Sequence, residues 1–159
     1  MEPLLDPAVI TPLASPWKRL GAVLLDGLLA CAAVLPGVLL ATVGGGDTPL
    51  VALGVVLAIA GFFGFFGYQL YLLSTEGQTV AKRALHLRIV GIETEENPGF
   101  GRAVGLRTIV PAVIGCVPFL GGLFALADAL FIFRDDRRCL HDHIASTKVV
   151  DETVGADWT

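Results

Sequence analysis

Charged side chains inside long apolar runs are the positions at which this sequence of 159 residues could do chemistry. Facing hydrocarbon, each would cost about 2.5 to 3.5 kcal/mol, so each should face a protein interior, reach an interface or meet a partner. Arg19 opens one apolar run and Asp26 lies seven residues further on. Seven helical steps return to within about 20° of the same face, and the two backbones would stand about 10 Å apart. Arg107 and Asp128 occupy the two ends of a later run, and Gln69 stands near the end of the second one. Depth counting places Arg19, Asp26, Gln69, Arg107 and Asp128 in one layer. Two chemistries fit such a layer: Arg19 and Arg107 neutralise Asp26 and Asp128 in a fixed network, or an aspartate cycles its proton along a proton or cation path.

A second concentration of reactive types is Arg134-Asp135-Asp136-Arg137-Arg138-Cys139-Leu140-His141-Asp142-His143. Its mixed charge suits contact with lipid headgroups. His141, His143 and Cys139 are metal-binding residue types, but alternate positions on an extended tail are weak spacing for one ion, and no metal site is assigned. No nucleophile stands beside a base and no phosphate loop is present, so neither an enzyme nor a cofactor is expected. Basic residues are spread over short segments without interleaved aromatics, which gives nucleic-acid binding no support. Cys31, Cys116 and Cys139 form no close pair and read as buried thiols.

The elements that position these groups follow from composition. A hydrophobic content of 54% and a mean hydropathy of +0.72 exceed what a soluble domain shows and call for lipid. The net charge of -4 averages over acids gathered in the ends and at Glu93, Glu95 and Glu96. Residues 1–16 read as a cytoplasmic tail with Trp17 at the interface. Residues 19–43 and 50–73 are each long enough to cross a hydrocarbon core of roughly 30 Å. Lys18 and Arg19 before an apolar stretch resemble a secretion signal, but Asp26 interrupts it and the run continues past Cys31, as in a retained helix.

In the second helix Gly61, Gly64 and Gly67 recur three apart in GFFGFFG and leave a strip for helix packing, within the chain or in a homodimer. Residues 74–101 carry too many charges to span lipid and form a membrane-proximal loop. Within it Leu85, Leu87 and Ile89 alternate with His86 and Arg88, the pattern of a short strand. Residues 147–150 are a second such run. The stretch 102–133 is broken at Pro118 and Gly121-Gly122. Basic residues before, between and after the apolar runs place all three flanks in the cytoplasm, so this stretch must turn back as two short helices or a re-entrant hairpin. A basic motif at 134–150 and a disordered end at 151–159 complete the organisation. The expected fold is an all-α membrane protein: two long helices, a broken pair of shorter ones, and two short strands at the cytoplasmic face.

Three segments together, Arg19-Leu20-Gly21-Ala22-Val23-Leu24-Leu25-Asp26, Gly77-Gln78-Thr79-Val80-Ala81-Lys82-Arg83 and Arg137-Arg138-Cys139-Leu140-His141-Asp142, resemble the RDD family of bacterial membrane proteins. The family is named for one arginine and two aspartates, which by pattern resemble Arg19, Asp26 and Asp142, with Asp128 the other candidate for the last. Ala81 departs from the glycine usual there. The resemblance implies a location in the bacterial plasma membrane, while the basic flanks argue for an even number of passes with both termini cytoplasmic. Sodium/proton antiport is attributed to some members. The residues thus leave two functions open: transport of a proton or small cation through the Arg/Asp layer, or a non-transporting scaffold whose loop and tail dock another protein. The lipid bilayer is the partner in either case, with a homodimer or a second membrane protein beside it.

Overall fold

The computed structural model describes residues 12–134 and 136–153. The tail expected over residues 1–16 lies mostly outside that range. Two helices dominate, α1 (Pro16–Val43) and α2 (Thr48–Thr75), both long and apolar enough to cross a membrane. Proline at the first turn of each costs no hydrogen bond. Few of their side chains are buried by the protein itself, so most of this apolar surface is left for lipid. Gly44 to Gly46 turn the chain between them.

The two helices touch backbone to backbone through glycines. A Cβ on Gly37 would stand 2.2 Å from the Ala58 nitrogen, one on Gly54 2.4 Å from the Ala41 nitrogen, and one on Gly61 2.1 Å from the Ala33 carbonyl oxygen. Gly64 and Gly67 have open space where a Cβ would go. The GFFGFFG strip therefore divides: Gly61 packs on α1, while Gly64 and Gly67 lie beyond the close contact.

After α2 comes a polar cap. α3 (Val80–Ala84) starts at Thr79, whose hydroxyl accepts from the Lys82 backbone N–H, and leads into β1 (Leu87–Gly91). Gly77 has φ of 69° and an added Cβ would lie 2.6 Å from the Ile89 carbonyl oxygen, so the position before Gln78-Thr79 admits only glycine comfortably. β1 pairs antiparallel with β2 (Thr147–Asp151), Ile89 opposite Val149. Leu13 adds a bridge to Val150, and the Ala14 N–H donates to the Val149 carbonyl. Asp151, expected at the start of a disordered end, closes β2 and pairs with Lys18 at 2.5 Å.

The second apolar stretch is irregular. Gly101–Ile109 is π-helical and runs into α4 (Val110–Gly115), a turn at residues 116–119 reverses the chain, and α5 (Leu120–Phe131) returns. The tail motif, expected to be extended, is helical over α6 (Leu140–Ile144). The buried core is small and lies in the cap, around Leu73, Ala81, Leu87, Ile89, Val104 and Val149. Cys31 and Cys116, expected to be buried, are exposed on apolar helices, and Cys139 alone of the three is buried; all are free thiols.

Candidate functional site

The cap is organised on Asp142. It sits in α6, and its carboxylate has no exposed surface. Arg107 Nη1 lies 2.7 Å from Oδ1 and Arg19 Nη1 3.2 Å from Oδ2. The Cys139 backbone N–H donates to Oδ2 at 3.3 Å, a capping contact at the start of α6. Arg107 also donates to Thr147 Oγ1, and Arg19 Nη2 donates to the Val149 carbonyl. Arg138 donates to the carbonyls of Thr147 and Asp142, so it ties α6 to β2. One carboxylate thus joins α1, the π-helical segment, α6 and β2.

Burial alone would raise the Asp142 pKa; the surrounding cations, Arg107 foremost, hold it below the usual carboxylate range. A buried ion pair persists only where further hydrogen bonds support its members; the Cys139 N–H and Thr147 do so for Asp142 and Arg107, whereas Arg19 Nε has no acceptor. Arg107 reaches the carboxylate from a π-helical turn, a distortion that recurs at functional sites.

Asp26 is not paired with Arg19. Its Oδ1 accepts from Gln69 Nε2 at 2.7 Å and from the Ala81 backbone N–H at 3.0 Å, while Gln69 Oε1 accepts from the Val80 N–H. Asp26 and Gln69 therefore fasten α1 and α2 to the first turn of α3. They line a cavity of about 270 Å³ together with Thr79 and Thr108.

Asp128 meets neither arginine in an ion pair among the described residues. Its carboxylate lies 2.7 Å from His141 Nδ1 and accepts from the His141 backbone N–H at 2.8 Å. His141 Nε2 is 3.5 Å from Asp142 Oδ1. One imidazole consequently spans the two aspartates. Asp128 and His141 are about one-fifth exposed and line a cavity of about 430 Å³, whose floor also holds Arg19, Arg107 and Lys82.

The five residues expected in one layer thus fall into three groups: Arg19 and Arg107 on Asp142, Asp26 with Gln69, and Asp128 with His141. The seven-residue spacing does put Arg19 and Asp26 on one helix, but Arg19 finds its partner 123 residues away. Two members of the site carry no mark in one-dimensional spacing. His141 becomes the partner of Asp128 only through the docking of α6 beneath α5. Lys82 reaches the cavity from α3, and burial, with Arg107 adding to it, pushes its ammonium down to about 7.

Asp128, Cys139 and His141 bring one ligand atom each within 4.8 Å of one another. His143 instead pairs with Asp136 at 2.9 Å. The trio is a poor cation site, because burial and Asp142 raise the Cys139 thiol to about 11 and the guanidinium groups of Arg19 and Arg107 stand beside it.

A family model described as the RDD family matches residues 13–146. An uncharacterised protein of Haemophilus influenzae is 36% identical over 101 residues, which span 64% of this chain and 62% of that protein. The uncharacterised protein YckC of Bacillus subtilis is 32% identical over 143 residues, 89% of this chain and 86% of that one. No solved structure matches.

Proposed function

The chain belongs to the RDD family, and from that premise we propose that it is a multi-pass protein of the bacterial cytoplasmic membrane that moves protons or small cations at its polar cap. The basic flanks of its apolar runs support an orientation with both termini and the cap in the cytoplasm. The observation that carries the reading is the Asp128–His141 pair. A carboxylate 2.7 Å from an imidazole nitrogen, both partly exposed on a cavity wall, is a hydrogen-bonded pair along which a proton can pass. The other ring nitrogen stands 3.5 Å from Asp142 Oδ1, so the imidazole joins the partly exposed carboxylate to the buried one. In this reading Arg19, Asp142 and Arg107 form the fixed frame and Asp128 with His141 the exchanging part. Asp26, on the smaller cavity, is the second carboxylate available to a cation.

Proteoliposomes carrying a pH-sensitive dye test it. Wild type should dissipate an imposed proton gradient on addition of sodium or potassium, and His141→Gln should lose most of that flux. A wild type without cation-dependent flux refutes the reading.

One observation favours a different class. The arginine frame is buried and bonded to four elements, as expected of a scaffold that presents a rigid cap to another protein. A stoichiometric partner recovered in mild detergent from cells, with no flux in vesicles, would select the scaffold.

A further inference from the structure

The larger cavity has a composition that proton exchange does not use. Arg19, Lys82 and Arg107 line it with two carboxylates, Asp128 and Asp142, so wherever Lys82 keeps its proton the cations outnumber the carboxylates even with His141 neutral. The Lys82 ammonium has no hydrogen-bond or ion-pair partner among the described residues. Arg19 is 5% exposed, and its Nε is buried without an acceptor. A cation left unpaired at a low-dielectric site attracts an anion strongly.

The walls above this floor are apolar: Trp17, Leu20 and Val23 from α1, and Ile132 and Phe133 just past α5. Trp17 is 74%, Val23 62% and Phe133 70% exposed. The cavity lining therefore includes side chains of the apolar outer surface, on the first turns of α1 and just past α5. A cationic floor beneath hydrocarbon walls matches a ligand with a charged head and apolar tails. A free phosphate would leave the walls unused, and a neutral hydrocarbon would leave Lys82 unpaired. A divalent cation is opposed by the excess positive charge.

We propose that this cavity binds one anionic glycerophospholipid of the surrounding bilayer, its phosphodiester on Lys82 beside Arg19 and its acyl chains along Leu20, Val23 and Ile132. Basic pockets beside membrane helices at the cytoplasmic face take lipid heads of this kind. The proposal concerns binding alone and stands whether or not the protein moves protons.

Native mass spectrometry of the full chain in neutral detergent, titrated with phosphatidylglycerol, phosphatidylcholine or inorganic phosphate, tests it. One phosphatidylglycerol per chain should be retained in preference to phosphatidylcholine, and inorganic phosphate should not displace it. Lys82→Gln should weaken retention about fivefold, the factor for about 1 kcal/mol per basic side chain at an anionic lipid. Lys82→Arg should retain it. Equal retention of the two lipids, unchanged binding in Lys82→Gln, or an equal loss in Lys82→Arg would overturn the proposal. Displacement by inorganic phosphate would reassign the cavity to a soluble anion.

Discussion

Arg107 Nη1 stands 2.7 Å from Asp142 Oδ1, with Arg107 7% exposed and the aspartate not at all. The pair links the π-helical start of the second apolar stretch to the short helix after it, so one contact holds both ends of the returning hairpin against the cap. Removing one member of such a buried pair leaves the other charged and unsolvated. Asp142→Asn should therefore lower stability by about 3 to 5 kcal/mol, read as a fall in the thermal midpoint in detergent. A midpoint within error of wild type would show that the carboxylate is not the anchor.

The same carboxylate sets a pH response. Its folded pKa lies below the ordinary value of 3.8, so its contribution is complete above that value and disappears as pH falls through the lower, folded one. Stability should be flat on this account between pH 5 and 8, by a margin of about one unit above the unfolded titration, and should fall in stronger acid. The acid-induced fall should be smaller in Asp142→Asn.

Lys82 acts in the opposite direction. Its ammonium titrates at about 7 in the fold against 10.5 when free, so the folded state binds fewer protons over that interval. The penalty for holding a buried charge is full below the folded value and fades as pH rises toward the free one. Raising pH from 7 to 10 should favour the fold through this residue, and Lys82→Gln should remove that gain. Thermal midpoints of the two proteins across this range check it.

The helix contact gives a prediction on glycine. Gly54→Ala places a Cβ 2.4 Å from the Ala41 nitrogen and should cost about 1 to 3 kcal/mol. Gly64→Ala meets open space and should leave stability unchanged. If Gly64→Leu also leaves oligomer size unchanged, the outer part of the strip faces lipid and not a second copy.

The legible part of this fold is what a single stretch of chain dictates. Residues 16–43 and 48–75 are apolar over spans that lipid requires, and the alternation around Ile89 marks a strand that pairs with Thr147–Asp151. Gln69 and Asp26 meet because depth along two neighbouring antiparallel helices is nearly a linear count. The arginine pairing was not legible, because it depends on where α6 docks. Helical phase puts Arg19 above Asp26, yet it cannot show that Asp142 enters from below with a capping contact already made. The π-helical turn at Arg107 rotates that side chain away from the phase of a regular helix, and nothing in Gly101–Ile109 announces it. Asp142 itself was visible as a motif residue, but not as the hub.

The central claim is that Asp128, paired with His141, exchanges protons while the arginine frame stays fixed. Proton flux in proteoliposomes reconstituted side by side with wild type and Asp128→Asn measures it most directly. The account predicts cation-dependent flux in wild type and its near loss in Asp128→Asn, with the variant still folded by thermal midpoint. Full flux in folded Asp128→Asn would contradict it.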